Sequence, residues 1–328
     1  MEPLTQADEI ARALAKVAYD EGTVRLTGTP FPDCTHLVAT RQGLFAASMH
    51  HHVRIAFGSF YGLTLRGSTV FAFEACDLAG LDTCRGRIVR LERERDRFVS
   101  SSVVASGLDN GCHQIDFIAG RLTVLDSQRQ RVLRFDEGET AWEPVQPLPP
   151  MRERAWSQGY VHINSLLQVG ERILMLLHNG MAYTGRPSEI AVFDLNWREI
   201  ERWPLPGAGC HNLVALEDGT VVSCGSMAGE IIGLDGPIAK VSQMMTRGLS
   251  IDQDSVVVGA AKFSARRDRH ATPGTVVFLD RDYRHRATLA LPGAPTEIRR
   301  LDGRDLGLSA YRNALPPLLK SPGAGQSR

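Results

Sequence analysis

Long apolar runs, charge of one sign and paired cysteines are all missing from this chain, and each absence removes a class of protein. No stretch approaches the roughly 18 apolar residues that span a bilayer, so no membrane helix is expected. Lysine plus arginine and aspartate plus glutamate number 37 each, for a formal net charge of zero. That balance removes a global pull towards nucleic acid or a membrane surface. The six cysteines include no CxxC pair, which predicts reduced thiols. No GxSxG, P-loop or dinucleotide fingerprint occurs. The opening MEPLTQADEIARALAKVAYDEG is acidic at its start and has no apolar signal core, so the expected location is cytoplasmic.

Helix periodicity is scarce too, being confined to the first 30 residues. There Ile10, Ala13, Leu14, Val17 and Ala18 recur at helical spacing and predict a short amphipathic helix packed on the body. The rest of the chain is a succession of short apolar runs cut by Gly, Pro, Asp and Asn, the pattern of many short strands.

Those strands repeat. A two-strand phrase begins at Tyr61, His113, His162, His211, Arg247 and Thr296, mostly about 50 residues apart. Gly67, Gly120, Gly170, Gly219 and Gly303 mark its turns, where glycine takes positive φ without steric cost. Two further strands fit between most starts, and four strands per unit is the blade of a β-propeller. Six starts predict six blades and an all-β fold. The last copy lacks chain to finish its blade, and HLVATR, GLFAAS and HHVRIAF between His36 and Phe57 supply the missing strands. Pairing the N- and C-terminal strands closes the ring and removes its exposed edges. The expected organisation is a helix and lead-in over 1–30 and one propeller domain over 31–313. Residues 314–328, rich in Pro, Gly and Ser, are expected to form a disordered tail.

In a propeller the first strand of each blade lines the channel, so the six repeat starts meet near one mouth. Three of them are histidines, His113, His162 and His211, on consecutive blades. Neutral imidazoles so placed suit a divalent transition metal, with zinc the first expectation and iron or copper next. Structural histidines kept by duplication are the alternative. Tyr61 is a candidate base, Arg247 a holder of a carboxylate, and Glu297 a further ligand or base. The alternative places Tyr61 in packing and Arg247 in a channel ion pair with Glu297 or Asp116.

Other groups carry less. His50, His51 and His52 alternate faces of a strand and read as surface residues. His178 and Asn179 end a second strand and suggest a supporting role further from the axis. Cys112 and Cys210 read as buried fillers beside ring histidines. The basic stretch from Ser264 to Gly274 reads as a loop or lid over one mouth; without interleaved aromatics it does not suggest nucleic-acid binding.

The repeat from about Cys34 to Tyr311 resembles six-bladed propellers of the NHL and gluconolactonase-like class, and the whole chain resembles a group of bacterial propeller proteins. In the lactonase branch carboxylates and amides cage a divalent cation; the slots here hold histidines. The constellation is similar to that of peptidyl-hydroxyglycine amidating lyase. That resemblance implies His113, His162 and His211 on zinc, Tyr61 as base and Arg247 as carboxylate holder. The expected function is a metal-dependent lyase or hydrolase acting on a small, carboxylated or peptide-derived molecule. An iron- or copper-dependent oxygenase on the same site, and a non-catalytic protein- or peptide-binding propeller, are the alternatives.

Overall fold

The computed structural model describes residues 13, 15–78, 83–136, 141–151, 159–264 and 271–322. Among them twenty-five strands, β1 to β25 in chain order, form six sheets. Five sheets are simple four-stranded meanders. Their innermost strands are β5 (Phe60–Arg66), β9 (Ile115–Ile118), β13 (Ile163–Val169), β17 (His211–Ala215) and β21 (Met245–Ile251). Each is the repeat start read from the sequence.

The sixth sheet closes the ring. Its innermost strand is β25 (Pro295–Arg300), followed outwards by β2 (His36–Thr40), β3 (Gly43–Ala47) and β4 (His52–Phe57). The register pairs His36 with Arg300 and Ala39 with Glu297, so both ends of the chain share one blade, as expected. A fifth strand, β1 (Arg25–Leu26), pairs with β4 and covers its edge; the sequence had marked this segment only as lead-in.

Burial explains the strand composition. Inner strands are packed on both faces and read as unbroken apolar runs, as in RILMLL over Arg172–Leu177. Outer strands alternate, as in HRATLAL over His285–Leu291, because one face meets water. The five turn-marking glycines, Gly67, Gly120, Gly170, Gly219 and Gly303, all have positive φ, from 58 to 87°.

Helix α1 covers residues 15–20. It is docked by Arg87, which donates to the carbonyls of Ala18 (3.0 Å) and Thr23 (2.7 Å) while paired with buried Glu74 (2.8 Å). Ala18 is buried, but Val17 is 44% exposed: the contact is made by backbone and a small residue, so the expected apolar face is only partly used. Ile10 and Leu14 lie outside the described residues.

The strands of the inner ring run from one mouth of the channel to the other end, and there the chain packs against them. After β25 comes the short helix α2 (Ser309–Arg312). Ser309 Oγ and N–H donate to buried Asp116, and Asn313 accepts the N–H of Gly170 at 2.7 Å. Residues 314–322, grouped with a disordered tail on composition, instead form a packed strap. Buried Arg312 donates to the carbonyls of Leu216, Pro316 and Leu318, and Lys320 N–H donates to the Gly219 carbonyl. A Cβ at Gly170 would lie 2.7 Å from Pro317, so its missing side chain admits the strap. Residues 323–328 lie outside the described residues. Among those described, no helix is long and apolar enough to cross a membrane, and all six cysteines are free.

Candidate functional site at the channel mouth

Irregularities in the inner strands aim side chains into the channel. The ladder slips between Phe60 and Leu63, Ile163 and Ser165, His211 and Val214, and Thr246 and Leu249. A fifth slip, between Ala39 and Thr40, leaves Thr296 as the extra residue on β25. A bulge leaves one residue unpaired and re-aims it. The bulged stretches contain Tyr61, Asn164, Asn212, Arg247 and Thr296, and all five line one small cleft. His113, Gln114, Ser165, His211 and Glu297 complete its wall. Gly62 lets the first blade come this close: a Cβ there would sit 2.6 Å from the His113 carbonyl and 2.7 Å from the Ile115 nitrogen.

The histidines form an arc at the mouth. The rings of His113 and His162 are 4.7 Å apart, His162 and His178 5.3 Å, and His178 and His211 5.5 Å, all edge to face. Two of them are supported identically. His113 Nδ1 is 2.8 Å from the Gly111 carbonyl and 3.0 Å from Ser127 Oγ. His211 Nδ1 is 2.8 Å from the Gly209 carbonyl and 3.0 Å from Ser226 Oγ. A carbonyl only accepts, so both rings carry a proton on Nδ1, and in the neutral ring the lone pair is then on Nε2. His162 Nδ1 meets the hydroxyl of Tyr160 at 2.7 Å. His178 is the opposite case: its Nδ1 accepts the N–H of Gly180 at 3.0 Å, so the neutral ring holds its proton on Nε2. His162 has φ of 52°, a left-handed conformation unusual for a residue other than glycine.

Burial holds the His162 and His211 imidazoles well below their ordinary range. Around His162 the neighbouring histidines and Arg247 push the same way, and around His211 Arg247 leads the neighbours. Both rings are therefore neutral at neutral pH.

Below the arc lies a layer of amides and charge. Asn164 donates to the Cys210 carbonyl (2.8 Å), and Asn212 accepts the Gly248 N–H and donates to Glu297 Oε1, each at 2.8 Å. Glu297 also pairs with buried Arg299 at 3.0 Å. Burial pushes the Glu297 carboxyl up to about 7; Arg299 pulls it down and Asp305 pushes it further up. Asp116 and Asp305, also buried, are raised by burial as well.

The structure gathers the sequence-selected residues at one mouth. Tyr61, His113, His211, Arg247 and Glu297 share the cleft wall, and His162 joins through its contact with His113. Glu297 ion-pairs with Arg299 and also feels the charge of Arg247, and Asp116 is held by Thr64 and Ser309. Tyr61 stacks under the Arg41 guanidinium, 5.2 Å from its ring centre. His178, expected further from the axis, stands inside the arc between His162 and His211. Cys112 and Cys210 are fully buried in blade interfaces, as expected of fillers. The His50–His52 run sits at the end of the closing blade away from the mouth, since Ala47 pairs there with His36, and His36 with Arg300 on β25. Of the proposed lid, residues 265–270 lie outside the described residues. Sequence reasoning missed Gln114, Asn164, Asn212, Ser127, Ser226 and Arg299. The paired phrases GCHQ and GCHN contained the signal for Gln114 and Asn212; nothing local marked the serines. As the side chains stand, no three His, Cys, Asp or Glu residues among those described are grouped to hold a metal ion.

No protein-family model matches the chain, and no curated protein sequence matches it either. Solved structures do. A chain of a nidogen/laminin complex superposes with a TM-score of 0.54 at 11% identity, over 84% of this chain and 98% of that one. A Bacteroides caccae protein of unknown function gives 0.52 at 10%, over 81% and 98%. A putative TolB from Agrobacterium tumefaciens gives 0.51 at 13%, over 87% and 97%. At such identities the likeness shows the propeller fold and nothing of its chemistry.

Proposed function

We propose that the channel mouth is a metal-assisted site for a small carboxylated or peptide-derived molecule, working as a lyase or hydrolase. His113, His162 and His211 would hold a divalent transition metal, zinc first and iron or copper next, through Nε2. The observation that carries this reading is the matched support under His113 and His211. A backbone carbonyl and a serine hydroxyl fix each Nδ1 proton, as in metal-ligating histidines whose outer partners set the tautomer. His162 and His211 are neutral, and each ring of the arc stands 4.7–5.5 Å from its neighbour. They do not enclose an ion as they stand, so binding requires the imidazoles to turn inwards.

A bound ion would supply Lewis acidity. The chain's own residues supply the rest. Arg247 orients the carboxylate through parallel hydrogen bonds, and Tyr61 moves a proton. Glu297, close to half-protonated at neutral pH, is suited to take or return one on the cleft floor.

The test is the metal content of purified protein beside His113→Ala, His162→Ala and His211→Ala, with folding checked by circular dichroism. One equivalent lost in each folded variant supports the reading. Zinc favours hydrolase or lyase chemistry, whereas iron or copper favours an oxygenase. Protein that neither carries nor takes up metal sinks the reading and leaves a non-catalytic binding propeller.

A further inference from the structure

Three amides project into the layer beneath the histidines, and they are used differently. Asn164 and Asn212 each engage both ends of the amide within the protein. Gln114 engages one. Its Oε1 accepts the Leu166 N–H from the neighbouring blade, which settles the orientation of the amide: the NH₂ must be the other end. Gln114 is 2% exposed, its side chain lines the cleft, and its Nε2 has no hydrogen-bond partner. A buried donor left unpaired costs about 1–3 kcal/mol, and buried polar groups in folded proteins are very rarely left so.

Position sharpens the contrast. Gln114 follows His113 as Asn212 follows His211, in the phrases GCHQ and GCHN. The shorter amide reaches Glu297 and Gly248 and ties blades together. The longer one is braced on Leu166, and its NH₂ is buried in the cleft wall without a hydrogen-bond partner.

We propose that Gln114 is a specificity-determining residue, and that its NH₂ donates to an oxygen acceptor of the ligand, a carboxylate or carbonyl oxygen seated below the histidine arc. The inference rests on the reading that the cleft takes a small carboxylated molecule. It adds which end of that molecule goes deepest. Donors on both sides, Gln114 and Arg247, then grip the carboxylate, and a ligand offering an ammonium or a hydroxyl donor at that depth is rejected because donor would face donor.

The experiment follows the Gln114 side-chain ¹⁵NH₂ signals during titration with formate, acetate and glycolate, in wild type and in Gln114→Glu. The variant keeps an oxygen for Leu166 and replaces the NH₂ by a second acceptor. We expect saturable movement of those signals in wild type. In Gln114→Glu, binding of the same carboxylate should weaken about tenfold or more, with metal content unchanged. Signals unmoved by all three carboxylates overturn the proposal, as does a Gln114→Glu protein that binds as well as wild type. The metal assay reads independently of both, so loss of metal in the histidine variants together with unmoved Gln114 signals removes this inference alone.

Discussion

Asn212 Nδ2 donates to Glu297 Oε1 at 2.8 Å, joining the fourth blade to the closing blade across the channel. The two residues are 85 positions apart in the chain. The bond stands on a left-handed Asn212, φ 64°, whose Oδ1 is simultaneously held by the Gly248 N–H. One side chain thus braces three inner strands around the candidate site.

Asn212→Ala should be destabilised by about 2–4 kcal/mol, from the left-handed backbone and from two buried groups left unpaired. Asn212→Gly relieves the backbone cost alone and should recover about 1 kcal/mol of that loss. Urea denaturation of the three proteins separates the contributions. Equal stability of Asn212→Ala and wild type would show that the bond does not brace the ring.

Glu297 should impose a pH dependence on stability. Its carboxyl is raised from the ordinary 4.5 to about 7 in the folded protein, so the native state keeps a proton that the unfolded state has released. Its contribution is complete below the unfolded pKa and is lost as pH rises towards 7. Asp116 and Asp305 are shifted the same way and add to the slope. Between pH 5 and 7, wild type should lose stability more steeply than Glu297→Gln, by at most about 1.4 kcal/mol per pH unit. Parallel curves for the two proteins would mean that Glu297 is ionised throughout.

Ser127 and Ser226 are predicted to act through the histidines they support. Ser226→Ala should weaken zinc binding about tenfold, measured by competition with a chromogenic chelator. Ser127→Ala should do the same and also lose some stability, because Ser127 donates to the Ile163 carbonyl at 2.6 Å. Unaltered zinc affinity in both variants would leave the serines with a structural role only.

Arg87→Met should undock helix α1. The substitution keeps most of the packing volume but leaves Glu74 buried without its partner and frees the Ala18 and Thr23 carbonyls. A loss of about 3–5 kcal/mol is expected, together with earlier proteolysis of the N-terminal segment. A variant as stable and as protease-resistant as wild type would contradict it.

The propeller was legible in the chain because a blade is a local unit. Strand, turn and strand recur within some fifteen residues, as from His211 to Ser226, and the period carries the fold. Ring closure was legible for the same reason: β25 stands alone at one end, and β2 to β4 lie spare at the other. The histidine positions were legible as repeat starts. Composition misjudged residues 314–322, because their order comes from Arg312, Gly170 and Gly219, none of which belongs to the segment.

The sequence by itself therefore determined six blades, their order, the strand that closes them and the mouth at which His113, His162 and His211 meet. Hydrophobic alternation and turn glycines act over a few residues, and their repetition leaves one arrangement of strands. The tertiary structure decided the rest. Inner-strand bulges turn Tyr61, Asn164, Asn212, Arg247 and Thr296 inwards. His178 enters the arc, Nδ1 protons are assigned by carbonyls, and Gln114 keeps an unpartnered NH₂ while Asn212 does not. Each depends on which backbone group of another blade stands within hydrogen-bond reach. That is set by packing around the ring, which no local pattern encodes.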